Sequence, residues 1–543
     1  MNKTKKSRLS WRKYHRWVGL VLALFMIVFC VSGIILNHRS LVAGLDVNRS
    51  LLPSGYRIND YSGGVVKGTL RLGGDTVVAY GCGGVWLTDT AATHWQQLNE
   101  GFGQGVDRRN VRNVVRDNNG RLWCITNYSL YCRQANEWHP IALPTDGERL
   151  TDVALCADGS CLVALSRNAV YRIELGTGAK AATDGRAKVT RIALKAPKDY
   201  TPKETLFRTV WKLHSGELFG LPGQLVVDAI AVVLIILSVT GIVIFILPYS
   251  IKCNNRKGNR DGAKSKARTM EWNLRWHNRL GSVTIILTLL LTFTGTCLRP
   301  PFMIPLVMVK TAPFNSSDNP WHDKLRAIRW DKVEGQWLVS TSEGFLTVDK
   351  QFAGVPKLIK DGAPSVSPMG VNAFQQQSDG TWLIGSFSGM FSWNKQQGKV
   401  LQFPSGKPVA KARGFSLAST AVSGYSADFL GGRPIIFGYS NGAAGQMPAM
   451  PDEMKSVPMS LWNVALELHV GRCYAPFLGP LSEMFVFLFG TLITLIVLSG
   501  YIIYRRTHRR RKPQQKQSKS DTATASSADN AEVTTGAGNP ERQ

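Results

Sequence analysis

Acidic residues are scarce in this chain of 543 residues: 37 Asp and Glu stand against 65 Lys and Arg, a net charge of +28. None of the nine cysteines forms a C-x-x-C motif, which excludes a thioredoxin-type site and a zinc knuckle. A dinucleotide fingerprint is also missing, because the glycine-rich run 101–105 neither follows a buried strand nor opens a helix. Charged residues make up 19% of the chain and apolar residues 44%, which excludes a disordered polymer.

Four apolar runs are long enough to cross a hydrocarbon core of roughly 30 Å. The predicted spans are residues 17–36, 225–247, 280–298 and 481–504. Basic residues cluster before the first run, between the second and third, and after the fourth. The positive-inside rule therefore predicts cytoplasmic termini, a cytoplasmic central loop and two long segments in the periplasm of a bacterial inner membrane. We expect the basic blocks to lie beside anionic lipid and not to bind nucleic acid.

This topology divides the chain into eight parts. In order they are a cytoplasmic N-terminus with the first helix, an external β segment, the second helix, a basic loop, the third helix, a second external β segment, the fourth helix and a disordered basic tail: residues 1–38, 39–212, 213–248, 249–276, 277–299, 300–466, 467–504 and 505–543.

The chain is a duplicated unit. Aligning the first span on the third places His15 on His277 and Gly33 on Gly295, a constant offset of 262 residues. The motif KLHSG at 212–216 likewise matches ELHVG at 467–471. A parallel repeat of this kind packs about a pseudo-twofold axis along the membrane normal, so equivalent residues are expected to face one another.

Both external segments carry a shorter repeat of alternating strands and glycine turns, three copies in each half. The clearest copies are DNNGRLWCITNYSLYC, ADGSCLVALSRNAVYRI, VEGQWLVSTSEGFLTVD and SDGTWLIGSFSGMFSWN. They resemble the propeller repeats of hybrid two-component sensor ectodomains. The predicted fold class is membrane α + β, with four transmembrane helices and two large all-β external segments that form one shared six-bladed ring or two open domains. Trp123, Trp337 and Trp382 occupy one slot of the repeat and are predicted to be core.

Cysteines in the first external segment fit a disulfide-permitting compartment. Cys156 and Cys161 bracket a turn and are predicted to pair across it, and Cys124 and Cys132 are candidates for a second bond one repeat earlier. Cys82 would then stay unpaired or join Cys473.

Histidines give the strongest functional signal. His15 and His277 lie at the cytoplasmic ends of spans one and three, whereas His214 and His469 precede spans two and four on the external side. Each pair is related by the duplication, which is the arrangement that bis-histidine ligation of two haems requires. The competing interpretation is four interfacial histidines. His38 is an alternative outer ligand, although its repeat mate is Pro300.

Other residues near these histidines suit a haem. Basic side chains are predicted to bind the propionates at the inner and outer sites: Arg12, Arg16 and Arg279 at the inner site, Arg472 and Lys212 at the outer site. Glycines are expected to make room for a flat macrocycle: Gly19, Gly281, Gly216 and Gly471. Asp228, inside span two, is either a proton acceptor or an interfacial cap.

The segments WRKYHRWVGLVLALFMIVFCVSGIIL, KLHSG…LSVTGIVIF, WHNRLGSVTIILTLLLTFTG and ELHVG…LIVLSGYIIYRR resemble PepSY-associated transmembrane helix proteins. That family includes inner-membrane ferrisiderophore reductases with b-type haem. The resemblance covers about a quarter of the chain, and it implies iron-associated reduction with His15, His277, His214 and His469 as ligands. It departs from the family externally, where blade-like repeats replace a PepSY module.

The function expected from these observations is transmembrane electron transfer through two haems b. Electrons would pass from a cytoplasmic or membrane donor, a quinol or a flavin reductase, to a periplasmic ferric siderophore or other ferric chelate. Such a protein would be a ferric-chelate reductase. One alternative is a haem-free, membrane-anchored propeller acting as sensor or scaffold. Another is a transporter, although the spans lack paired charges and broken helices.

Overall fold

The structure is a computed structural model that describes residues 3–175, 188–197, 200–314, 319–409 and 421–509. Residues 505–509 of the predicted disordered tail are helical, so that boundary was wrong, and the rest of the tail lies outside the described residues. The chain forms two compact units. The helical unit comprises residues 1–37, 204–314 and 466 onward, and the β unit comprises 38–203 and 315–465. Residues 204–212 and 300–314, predicted to be external, therefore group with the helices.

The described residues form eleven α-helices; Arg39–Val42, Asp452–Lys455 and most of Leu461–His469 lie in the β unit, and the others form the helical unit. In chain order the eleven are α1 Lys3–Asn37, α2 Arg39–Val42, α3 Leu206–Ser215, α4 Gly220–Arg256, α5 Arg260–Val283, α6 Ile285–Cys297, α7 Met303–Met308, α8 Asp452–Lys455, α9 Leu461–His469, α10 Ala475–Leu478 and α11 Ser482–Arg509. Within this unit α1 packs against α4 and α11, α4 packs against α5, and α6 packs against α3 and α11.

Three helical segments are long and apolar enough to span a membrane: Trp11–Asn37, Glu217–Arg256 and Met484–Thr507. The predicted third span is not one straight helix, because α5 and α6 are bent by 71° where they meet. Thr284 lies at the bend, and its hydroxyl donates to the carbonyl of Leu280. Such back-bonding often bends helices, and the Gly281-Ser282 pair just before it is another feature at which helices kink.

The strands of the described residues form eight separate antiparallel sheets and no closed barrel. Five sheets have four strands, each strand paired with the next along the chain: β2 Gly68–Gly73, β3 Thr76–Gly81, β4 Gly84–Asp89, β5 Trp95–Gln97; β6 Asn113–Arg116, β7 Leu122–Ile125, β8 Leu130–Gln134, β9 Glu137–Ile141; β10 Leu150–Leu155, β11 Cys161–Ser166, β12 Val170–Glu174, β13 Val189–Ile192; β16 Leu325–Asp331, β17 Gln336–Thr341, β18 Gly344–Val348, β19 Lys357–Ile359; β20 Ala373–Gln376, β21 Trp382–Ser386, β22 Gly389–Asn394, β23 Lys399–Gln402.

Three sheets have two strands: β1 Asp46–Val47 with β26 Met459–Ser460, β14 Glu204–Thr205 with β15 Lys310–Thr311, and β24 Val422–Ser426 with β25 Ile435–Gly438. Counting β24–β25 with the four-stranded sheets, each predicted external segment supplies three sheets to the β unit.

Alternate residues of the inner strands enter different cores. Along β11, Leu162 packs into one hydrophobic cluster, whereas Val163 packs into the next. This period of two is what a strand buried on both faces produces. Trp123, Trp337 and Trp382 are at most 1% exposed, so their prediction as core residues is confirmed.

One predicted disulfide is present and the other is wrong. Cys156 and Cys161 are bonded across their turn. Cys132, however, pairs with Trp123 in the ladder while Cys124 pairs with Tyr131, so the two thiols lie on opposite faces of the sheet. Cys82 and Cys473 are likewise free thiols among the described residues.

Two histidine pairs in the helical unit

The structure brings together both pairs of repeat-related histidines. His15 on α1 faces His277 on α5 with ring centroids 6.4 Å apart and planes at 78°. His214 on α3 faces His469 on α9 with centroids 6.1 Å apart and planes at 48°. All four side chains are half-buried. The duplication in the sequence thus places equivalent imidazoles opposite each other at two positions.

These separations fit a shared metal ion. Two metal–imidazole bonds of about 2.0 Å, plus about 1.1 Å from each ligating nitrogen to its ring centre, require centroids about 6.2 Å apart. The two pairs are 6.4 and 6.1 Å apart. Each position offers two nitrogen ligands, and no cluster of three or more His, Cys, Asp or Glu occurs in the described part of the chain. The donor set therefore suits a metal whose equatorial ligands come from a macrocycle, as in haem.

Hydroxyl groups on neighbouring helices fix the orientation of every ring. The Nδ1 atom of His15 lies 2.9 Å from Ser499 Oγ, and that of His277 lies 2.9 Å from Thr240 Oγ1. At the second pair, Nδ1 of His469 lies 3.0 Å from Ser32 Oγ. The fourth contact follows the same pattern: His214 Nδ1 to Thr294 Oγ1, 3.2 Å.

The same hydroxyls determine which nitrogen carries the proton. Each donates its single hydrogen to a backbone carbonyl of its own helix, as Thr240 does to Ile236 at 2.7 Å. The other three donors behave alike: Ser32 to Val28, Thr294 to Leu290 and Ser499 to Ile496. The hydroxyls then accept from Nδ1–H; at His214 and His469 the backbone carbonyls of Leu291 and Phe29, each 3.1 Å from Nδ1, can only accept and so assign the proton to Nδ1. Nε2 of all four histidines is left with its lone pair for a metal.

A glycine follows each of these hydroxyl residues and lies against a ring. A Cβ atom at Gly295 would come within 2.8 Å of His214 Cε1, and one at Gly500 within 3.0 Å of His15 Cε1. The corresponding distances are 3.4 Å from Gly33 to His469 and 3.7 Å from Gly241 to His277. Four Ser/Thr-Gly dipeptides therefore form the histidine seats, and the sequence signal for them is this dipeptide repeated near each helix end.

The glycines predicted to make room for a macrocycle have other roles. Gly19 lies against Ile496 and Gly281 against Leu237, which are contacts between packed helices. Gly216 and Gly471 have φ angles of +80° and +82°, the left-handed conformation in which a helix commonly ends. These two glycines end α3 and α9. Position along a helix did not reveal which side each glycine faces.

The predicted propionate-binding residues differ in their partners. Arg12, Arg16 and Arg279 form no ion pair with any described residue; Arg16 contacts the ring of Phe245, and Arg279 that of Trp276. At the outer site Arg472 is bound by both oxygens of Glu467, and Lys212 is 2.8 Å from Glu204. Arg472 and Lys212 would have to exchange these carboxylates for a propionate, whereas the three arginines near His15 and His277 would not.

Two further predicted residues lie outside the pairs. His38 belongs to the β unit and precedes helix α2, and the outer pair is complete without it. Asp228 accepts a hydrogen bond of 2.9 Å from Asn37, which also donates to the carbonyl of Ser215 at 3.3 Å. Asn37 thus connects Asp228 to Ser215, the residue that follows His214.

Comparison with known proteins identifies the family to which the chain is similar. The model of the PepSY-associated TM region matches residues 1–247 and again 254–507. None of the curated proteins matches the chain. Among solved structures, the extracellular domains of the putative hybrid two component systems BT4673 and BT3049 from B. thetaiotaomicron are 11% identical, with TM-scores of 0.31 and 0.30 over 70% and 71% of this chain. This chain covers only 38% and 39% of their lengths.

Proposed function

Because the chain belongs to the PepSY-associated transmembrane family, we propose that it is a di-haem b protein that carries electrons across a bacterial inner membrane to a ferric chelate. One observation carries the proposal: two histidine pairs have ring centres about 6 Å apart, and in each ring Nδ1 is hydrogen-bonded, which leaves Nε2 as the nitrogen for a metal. Haem bound there would supply one-electron redox chemistry. The oxidoreductase activity and the iron substrate rest on the family's role.

The protein's own residues prepare these positions in advance. Hydroxyls hold Nδ1–H of each imidazole, so the rings need no reorientation to present Nε2. The adjacent glycines let each ring lie directly on the neighbouring helix. Arg12, Arg16 and Arg279 supply positive charge around His15 and His277 for two propionates. Positions fixed in this way favour fast electron transfer, because little has to move when the charge changes.

The proposed topology has four spans, with α5 and α6 together forming the third. Support comes from His277 on α5, which occupies the same place opposite His15 that the duplication requires. Basic flanks around residues 1–16, 252–279 and 505–512 favour cytoplasmic termini and a periplasmic β unit. His15 and His277 would then lie near the cytoplasmic face, and His214 and His469 near the periplasmic face.

Electrons require a separate donor and leave to a separate acceptor. The run 101–105 lies in a loop between β5 and β6 and does not open a helix, so it gives no support to a bound dinucleotide. A quinol or a flavin reductase is the proposed donor. A ferric siderophore or other ferric chelate on the periplasmic side is the proposed acceptor.

In this proposal six of the seven sheets of the β unit, all except β1–β26, are the blades of one propeller. Contacts between the first strands of successive sheets support it: Asn113 on β6 donates to the carbonyl of Val153 on β10, and Arg329 on β16 donates to that of Phe374 on β20. At the two ends of the series, the hydroxyl of Thr69 on β2 lies 2.7 Å from that of Ser426 on β24. The last sheet thereby contacts the first.

An optical spectrum tests the haem proposal against the haem-free sensor or scaffold. Protein purified in detergent from haem-replete cells should show reduced-minus-oxidised b-type bands and about two haems per chain. His277→Ala and His214→Ala should each lose about one haem, because each removes one of two axial ligands, whereas the exposed His139→Ala should keep both. Unchanged haem content in either ligand variant would reject the pairing.

The acceptor is tested on the same preparation. After anaerobic reduction, mixing with ferric citrate should bleach the reduced band faster than mixing with gallium citrate, which has the same charge but cannot be reduced. Equal rates would reject a ferric chelate as the acceptor while leaving the haem count standing.

A further inference from the structure

The β unit contains a cavity of about 70 Å³ that opens to solvent. Among the described residues that line it, basic side chains predominate and Asp152 is the single acidic one. The basic residues of the lining are Lys67, Arg112, Arg149, Arg167, Arg326 and Arg329. That volume has room for roughly five water molecules, enough to admit the charged groups of a small anion from solvent.

Three of these cations occupy equivalent places. Lys67, Arg112 and Arg149 each directly precede the first strand of a sheet, at β2, β6 and β10. Each side chain is half-buried. Three successive sheets therefore contribute one cation apiece to the same cavity.

The carboxylates near the cavity are already bound to other cations. Asp152 lies 2.5 Å from Arg329, and Asp323 lies 2.7 Å from Arg167. Asp107, buried nearby, receives two hydrogen bonds from Arg39. None of these pairs includes Lys67, Arg112 or Arg149.

Neutral oxygens are the partners of Lys67, Arg112 and Arg149. Lys67 donates to the side chain of Asn110 and to the carbonyl of Val111. Asn127 Oδ1 accepts from Nε of Arg112 at 3.0 Å and from Nε of Arg149 at 3.2 Å. Within the described residues the Nη atoms of these two guanidinium groups form no hydrogen bond, and none of the three cations forms an ion pair. Asn127 thus holds two bidentate anion-binding groups side by side.

Electrostatics shows that this arrangement is unfavourable by itself. Burial lowers the pKa of Arg112 to about 10, with repulsion from Arg39 and Arg167 adding to it. Burial and the neighbouring arginines also lower the pKa of Arg149, and burial with the charge of Arg112 lowers that of Lys67. Unpaired cations in such a site cost free energy that an anion would recover.

We propose that this cavity binds a small polyanion that carries at least two carboxylate or phosphate groups, held by Arg112, Arg149 and Lys67. Guanidinium groups bind both oxyanions in the same two-bond geometry, so carboxylate and phosphate share the chemistry. This binding does not depend on haem or on electron transfer.

Calorimetric titration of the full chain in detergent at low salt tests the site with three probes: citrate, pyrophosphate and, as a neutral control, glycerol. One equivalent of citrate or of pyrophosphate should bind, and the tighter of the two identifies the class of oxyanion. Arg149→Gln and Arg112→Gln should each weaken that probe by about tenfold or more. The exposed Arg433→Gln should not change it.

A second readout separates a binding role from a structural one. Without added anion, Arg149→Gln should raise the melting temperature of the β unit, because it removes a buried charge that has no counter-ion, and Arg433→Gln should leave it unchanged. A cation that merely holds the fold together would give the opposite shift. No binding of either polyanion, binding that survives both Arg variants, or a lower melting temperature in both would overturn the proposal.

Discussion

Placing a methyl group on each of the four glycines beside the histidines should affect haem content to different degrees. A Cβ at Gly295 would lie 2.8 Å from His214 Cε1 and one at Gly500 would lie 3.0 Å from His15 Cε1, whereas those at Gly33 and Gly241 would lie 3.4 and 3.7 Å from their rings. Relative to the 3.7 Å contact, the ring of His214 would have to retreat by about 0.9 Å. Metal–ligand distances tolerate only about 0.2 Å.

Each site therefore has one glycine with little space between it and the ring and one with more space. The substitution at the second glycine is the control for the first. Gly295→Ala should cost the outer site its haem and Gly500→Ala the inner site, while Gly33→Ala and Gly241→Ala should keep about two haems per chain. All four glycines are in helices, so the gain in helix propensity of about 1 kcal/mol is common to the series. Haem per chain, measured as the pyridine complex, gives the order, and thermal melting checks folding. Equal haem in all four variants, or selective loss in Gly33→Ala and Gly241→Ala, would refute the geometry.

Two further substitutions test particular contacts. Thr240→Val removes the hydroxyl that accepts from His277 Nδ1–H, so we expect haem affinity at the inner site to fall by roughly 10–100-fold, whereas Thr292→Val, whose hydroxyl bonds only backbone carbonyls, should bind haem as wild type does in a haem titration. In the β unit, burial raises the pKa of Asp107, but the bonds and charge of Arg39 outweigh burial and the pKa is lowered overall. A carboxyl whose pKa is lower in the folded than in the unfolded state stabilises the fold at any pH above its unfolded-state pKa. That contribution is lost as the pH falls through the folded-state pKa. Denaturant unfolding followed by tryptophan fluorescence from pH 7 to 3 should therefore show that Asp107→Asn lowers stability by about 3–5 kcal/mol at pH 7 and weakens its acid dependence; an unchanged pH profile would contradict this.

The histidine pairs could be predicted because the duplication is visible in the sequence and relates the two members of each pair. His15 and His277 share a register position, as do the histidines of KLHSG and ELHVG, and symmetry makes equivalent residues meet. The Ser/Thr-Gly dipeptide near each helix end is visible in the sequence, but its role was not predicted, since only the packed helices show that Ser32 or Thr294 lies against a histidine. The bend at Thr284 was missed for the same reason: hydropathy records apolar length and not direction.

Features of the β unit were predictable only as far as local sequence determines them. The turn between Cys156 and Cys161 places both residues on paired strands, so this disulfide could be predicted. The prediction of a second disulfide between Cys124 and Cys132 was wrong because Cys124 lies opposite Tyr131, one residue from Cys132. Adjacent residues of a strand point to opposite faces of the sheet. The cationic cavity gave no sequence signal, since its residues come from separate sheets and only the packed sheets bring them together.

Electron paramagnetic resonance of the oxidised, full-length protein tests the central claim most directly. If both histidine pairs ligate iron, the spectrum will contain two low-spin ferric signals in equal amount, with no high-spin signal. The more anisotropic signal should disappear in His277→Ala, because the inner rings are closer to perpendicular, at 78° against 48°. A single low-spin signal, high-spin iron, or iron signals that survive loss of His277 and His214 would contradict paired imidazole ligation.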